Sequence, residues 1–92
     1  MKFEWDEKKA SLNLKKHKVS FEEASTVFFD ELAKITFDPD HSHDEHRQIL
    51  IGHSHNRRLL FVIHISCEDK NIIRIISARK AIKRERKDFE NL

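Results

Sequence analysis

Glycine, proline and cysteine occur once each, and tyrosine is absent. With Gly52 alone there is no glycine-rich loop to cradle a phosphate, and with Pro39 alone no low-complexity linker. Cys67 has no second cysteine to pair with, so an intrachain disulfide is excluded, which suits a reducing compartment. Long apolar runs are missing as well. The longest, Leu59 to Ile63, is far short of the about 20 residues that span a bilayer. The opening Met1-Lys2-Phe3-Glu4-Trp5-Asp6 lacks the apolar stretch of a secretory leader. These absences point to a soluble, cytoplasmic protein with no membrane partner.

What is present is charge and periodic hydrophobicity. Ninety-two residues read as one domain over 1–92, without room for a second core. Charged residues make up 37% and hydrophobic ones 38%, with seven Phe. The two classes interleave in regular patterns, which argues for a folded chain rather than a disordered one. The net charge of +2 hides an asymmetry. Between Glu22 and Glu45 eight acidic residues face only Lys34, whereas from Lys70 onward eight basic residues outnumber Glu85, Asp88 and Glu90. A basic end is the electrostatic footprint of a phosphate-bearing partner, although an acidic partner protein explains it equally.

Phe3 to Trp5 reads as a short extended lead-in. Asp6 is a good N-cap for a helix running to about His17, whose inner stripe is Ala10, Asn13, Leu14 and His17. Half of that stripe is polar, so it borders something wet or hydrogen-bonded. Ser20 and Glu23 form a capping box that opens a second helix, with Phe21, Ala24, Ser25 and Phe28 on one side and Val27 beside them. Leu32 to Phe37 reads as a strand broken by Asp38-Pro39-Asp40, and a His-rich loop follows. Arg47 to His53 alternates, with Ile49, Ile51 and His53 on one side. Leu59 to Ser66 is apolar on both faces, as in a central strand. Ile72 to Ala78 is the fourth strand, with Arg74 on the face of Ile72, Ile76 and Ala78. A charged helix completes the chain, with Ala81, Ile82, Glu85 and Phe89 sharing a face. The expected architecture is α+β: two N-terminal helices, a four-stranded antiparallel sheet and a C-terminal helix.

Four stretches carry a resemblance. They are Phe3-Glu4-Trp5-Asp6 with Lys9, Asn13 and Lys16-His17; Val19-Ser20-Phe21-Glu22-Glu23-Ala24 with Val27-Phe28 and Asp30; Glu45-His46-Arg47 with Ile51-Gly52 and Arg58-Leu59-Leu60; and Ile73-Arg74-Ile75-Ile76-Ser77-Ala78-Arg79-Lys80-Ala81 with Arg84-Glu85-Arg86. In this order, and over nearly the whole chain, they resemble the BrnT family of toxins. Three positions depart from the pattern: Lys18 where glycine is frequent, Phe89 near a common Tyr, and Ser66-Cys67-Glu68 in a turn that often carries Arg. The resemblance implies a RelE-like fold, RNA cleavage that blocks translation, and no metal or other cofactor. It also implies a BrnA-like antitoxin that binds the toxin in a hetero-oligomer and alone contacts operator DNA.

Metal-independent RNA cleavage uses the RNA's own 2′-hydroxyl as nucleophile, and needs a base, an acid and cations around the phosphate. Arg74 and Arg79 are the candidate phosphate clamps, since a guanidinium matches phosphate oxygens in a fixed fork. For Arg74 a cross-sheet ion pair, for instance to Glu45, is the competing reading. His64 on the central strand is either an acid–base group or a satisfied core histidine. Lys16 and His17 either suit the dipole of a helix C-terminus or reach over the active cleft. Glu45, pointing the same way as Arg47, is a base or half of an ion pair. Trp5 stacks on a base or plugs the core. The stripe Arg79, Lys83, Arg86 and Lys87 contacts RNA, contacts an antitoxin, or is a solvated face. His41, His43 and His46 lack the spacing of a zinc site, so no metal is assigned. The alternative to catalysis is a module of the same fold that binds RNA or antitoxin without cleaving.

Overall fold

The computed structural model describes residues 1–37 and 47–91. In chain order the elements are β1 (Lys2–Glu4), α1 (Glu7–His17), α2 (Phe21–Thr26), β2 (Lys34–Phe37), β3 (Arg47–His53), β4 (Leu59–Cys67), β5 (Ile72–Lys80) and α3 (Lys83–Glu90). The sheet has five strands in the order β1-β5-β4-β3-β2. The expected four-stranded antiparallel sheet is therefore incorrect. Strands β2 to β5 do form an antiparallel meander, but β1 adds a parallel edge, pairing Phe3 with Ile73, and this makes β4 the central strand of the sheet. The extended lead-in is a strand because its partner lies some seventy positions away, beyond the reach of any local pattern.

Local chemistry sets the helix ends. Asp6 Oδ1 accepts the Lys8 and Lys9 N–H groups at 2.8 and 3.1 Å. Glu7 in the first turn and Lys15, Lys16 and His17 in the last complement the helix dipole. Lys18 ends α1 in the left-handed conformation, φ 60° and ψ 30°, and its N–H bonds to the Leu14 carbonyl. Ser20 Oγ accepts the Glu23 N–H at 3.0 Å, half of the expected capping box. The other half is missing because the Glu23 carboxylate is engaged elsewhere. It accepts from Arg58 through both oxygens and from Ser54 Oγ, which is 2.7 Å away. That buried pair ties α2 to the β3–β4 turn, and Arg58 also reaches the Lys18 carbonyl.

The core lies between the sheet and α1 and α2. Val19, Phe21, Ala24, Val27, Leu50, Leu60, Val62, Ile75 and Ala78 form it. Asn13 explains the polar stripe of α1. Beyond Arg74 no strand lies on the outer edge of β5 among the described residues, and Asn13 takes that place. Its Nδ2 donates to the Ala78 carbonyl at 2.8 Å and its Oδ1 accepts the Ala78 N–H at 3.2 Å. Gly52 faces the same layer, where a Cβ would lie 2.7 Å from the Ala33 Cβ. Among the described residues no helix is long and apolar enough to cross a membrane.

Candidate functional site

A bulge in β5 decides which side chains meet. Ile63 pairs with Ser77, but His64 pairs with Ile75, so Ile76 is an extra residue on β5. One extra residue reverses the alternation downstream. Arg74 therefore does not share a face with Ala78, as simple alternation predicts. Ile75 and Ala78 are the buried residues of β5, pointing at α1 and α2. Arg74, Ser77 and Arg79 occupy the other face together. Arg47 joins them, because it pairs with Ile65 and Ile65 pairs with Arg74. Across those three strands the Arg47 and Arg74 backbones stand roughly 10 Å apart, and Arg79 is about 15 Å farther along β5.

Helix α3 packs on this face at the Arg79 end. Arg79 Nη1 and Nη2 donate to Glu85 Oε1 and Oε2 at 2.8 and 2.9 Å, and Nη1 also donates to the Lys80 carbonyl at 3.2 Å. The guanidinium carbon lies 4.0 Å from the centre of the Phe61 ring. The carboxylate beside it raises the Arg79 pKa above its ordinary value. Burial works to raise that of Glu85, but the hydrogen bonds from Arg79 and from the Ile82 N–H outweigh it and hold the carboxyl low. Beside this pair is a cleft of about 310 Å³ walled by Lys34, Thr36, Ile51, Glu85, Asp88 and Phe89. Arg74, at the far end, makes a looser, solvent-exposed pair with Glu4 at 3.4 Å.

The remaining candidates divide. Lys83, Arg86 and Lys87 are exposed on α3, and Arg86 stands 3.8 Å from Glu90. Lys16 is exposed and His17 half-buried at the end of α1, which borders β5 through Asn13. Trp5 is half-buried, packed against the core and edge-on to Phe21 at 6.0 Å. His64 is on the opposite face from the arginines, 1% exposed, with Phe28 edge-on at 4.8 Å and, among the described residues, no partner for Nδ1. Burial pushes its pKa below the ordinary histidine value. Glu45 and the histidines 41, 43 and 46 lie outside the described residues. Among the described residues no group of three or more His, Cys, Asp or Glu side chains could hold a metal ion.

Two residues on the arginine side were not singled out as functional by the sequence. Glu85 was legible only as part of an inward helix face. His53 ends β3 with its ring 5.7 Å from that of Phe89 and its Nδ1 3.7 Å from Asp30 Oδ2. Its place in the β3 alternation signalled the side it faces, but not its neighbours.

The fold has a counterpart of known structure. The 1.1 Å crystal structure of the Brucella abortus ribonuclease toxin BrnT is similar, with a TM-score of 0.70 and 25% sequence identity over 90% of this chain and 99% of that one. No curated protein matches the sequence. The family model described as ribonuclease toxin, BrnT, of type II toxin–antitoxin system matches residues 5–85. With that match spanning strands β2 to β5 and the Arg79–Glu85 pair, the chain belongs to the BrnT family of ribonuclease toxins of type II toxin–antitoxin systems.

Proposed function

We propose that this toxin is a metal-independent endoribonuclease that arrests translation in the cytoplasm by cutting RNA at the arginine face. The observation that carries the reading is the bulge at Ile76, which gathers Arg74 and Arg79 on one side of β5 with Arg47 beside them. The 2′-hydroxyl gives up its proton as its oxygen attacks the adjacent phosphorus, the bond to the 5′-oxygen breaks as that oxygen takes up a proton, and negative charge builds on the non-bridging oxygens. Fixed guanidinium groups stabilise that charge without a metal. Arg79 is the principal clamp, being the most tightly held. Arg74 and Arg47 bind flanking phosphates, and Lys83, Arg86 and Lys87 extend the positive surface along α3. Lys16 and His17 approach from the α1 side of β5.

A type II toxin has an antitoxin partner. We assign that role to a BrnA-like protein that neutralises the toxin in a hetero-oligomer. Exposed Ile35 and Phe37 on the edge strand β2 suit a protein partner.

The test is cleavage of RNA by the purified chain with EDTA present, beside Arg79→Ala. The parent is expected to cut, and the variant to be folded and inactive. An active, folded Arg79→Ala removes Arg79 from the site. A folded parent that neither cuts RNA nor arrests a translation extract is a binding module instead.

A further inference from the structure

The Arg79–Glu85 pair has a specific stereochemistry. A guanidinium carries five N–H donors arranged along its edges. Glu85 takes the end-on edge, Nη1 with Nη2, at 2.8 and 2.9 Å. The second N–H of Nη1 goes to the Lys80 carbonyl. One face of the plane rests on Phe61. Three sides of the group are thus fixed by α3, by the backbone of β5 and by β4. What remains is the side-on edge, where Nε–H and the outer Nη2–H lie parallel. Neither has an acceptor among the described residues, and Nε is not among the buried polar atoms lacking a partner.

We infer that Glu85 is a positioning residue for RNA cleavage, holding Arg79 by its end-on edge so that a phosphodiester docks on the Nε–Nη2 edge. This rests on the reading of Arg79 as the phosphate clamp. A free arginine side chain samples many rotamers, and fixing it before substrate arrives removes that entropy from the reaction. A bidentate carboxylate with an aromatic floor fixes both the position and the plane of the fork. The second edge then offers two parallel donors to two phosphate oxygens. Glu85 also anchors the start of α3, accepting the Ile82 N–H at 2.9 Å. The clamp and the helix that presents Lys83, Arg86 and Lys87 are therefore set by one carboxylate.

That double duty shapes the experiment. Ile82 is the helix N-cap, with φ −79° and ψ 166° and 55% exposure. Ile82→Ser supplies a side-chain cap of its own and serves as the background. Glu85→Gln is then added, and RNA cleavage is measured with a titration of an uncleavable 2′-O-methyl oligonucleotide, followed through the Arg79 Nε–H signal by NMR. Glu85→Gln is expected to melt within a few degrees of its background and to lower kcat about tenfold or more, with little change in KM. The Nε–H signal is expected to shift with oligonucleotide in the background and to respond weakly in the variant. Background-level kcat in Glu85→Gln overturns the inference. So does tighter oligonucleotide binding, which would make Glu85 a competitor for the phosphate. If Glu85→Gln does not fold, Glu85→Asp, which keeps the charge but shortens the reach, takes the same test with the same outcomes. Arg79→Ala separates the layers. An active Arg79→Ala sinks the clamp itself, whereas an inactive Arg79→Ala beside an active Glu85→Gln sinks only the positioning role.

Discussion

Replacing Glu23 by Gln tests the pair that joins α2 to the β3–β4 turn. The Glu23 residue is 5% exposed. Hydrogen bonds from Arg58, opposed by burial and aided by Ser54, lower its pKa from 4.5 to about 2. At about 1.4 kcal/mol for each tenfold change in proton affinity, ionisation of this carboxyl contributes roughly 3 kcal/mol to stability at neutral pH. The sign follows from the direction. The folded state holds the proton more weakly than the unfolded chain, so the contribution is complete above about pH 4.5 and fades toward pH 2. Gln keeps the shape but not the charge, and leaves Arg58 facing an amide. Urea unfolding should therefore show Glu23→Gln destabilised by about 3 kcal/mol at pH 7, as expected on breaking a buried ion pair. By pH 3 the gap between parent and variant should shrink to under about half. A gap below about 1 kcal/mol at pH 7, or one that stays constant down to pH 3, refutes the reasoning.

Gly52→Ala should cost about 1–3 kcal/mol, because its Cβ would lie 2.7 Å from the Ala33 Cβ and 3.0 Å from Val27 Cγ1; a melting temperature equal to the parent's would show that this layer gives way. Lys18→Gly should stabilise by about 0.5–1 kcal/mol, since Lys18 holds φ 60°; thermal unfolding reads the gain, and a loss would mean that the Lys18 side chain contributes more than its backbone conformation costs. His64→Leu should flatten the acid side of the stability profile. Burial lowers the folded pKa of His64 below 6.5, so the unfolded chain takes up more protons and the parent loses stability as pH falls below that value. Urea midpoints at pH 7.5 and 5.5 should diverge more for the parent than for His64→Leu, and equal slopes would assign the acid sensitivity elsewhere.

The parts of the fold that were legible in the sequence are those governed by neighbours. Asp6 and Ser20 announce their helices because a capping side chain bonds within three residues. Leu59 to Ser66 announces a central strand because both of its faces are covered, and β4 does lie third of five. The failures have one cause, dependence on distant partners. Lys2–Glu4 is too short to show a period, and it becomes a strand only beside Ile72–Arg74. Glu23 at the third helical position has the spacing of a capping box, but Arg58, 35 residues later, is the stronger partner for a carboxylate.

The candidate site was legible as a set of residues but not as a surface. Ile72-Ile73-Arg74-Ile75-Ile76 is apolar at every position but one, so its pattern fixes no phase. Strict alternation would place Arg74 and Arg79, five positions apart, on opposite faces of the sheet. Only the extra residue at Ile76 unites them, and it shows as the shift in pairing from Ile63–Ser77 to His64–Ile75. His64 needs no such shift, because it alternates regularly with Leu60 and Val62 along β4. It stands on the helix-covered face beside Phe28, while Arg74 and Arg79 of β5 turn the other way. Burial of an imidazole with no partner for Nδ1 among the described residues costs stability, whereas Arg74 and Arg79 on the other face have the carboxylates of Glu4 and Glu85 beside them. A strand that bulges at Ile76 separates the core side chains Ile75 and Ala78 from the two arginines with one inserted residue, which is where sequence periodicity ceases to inform and pairing register takes over.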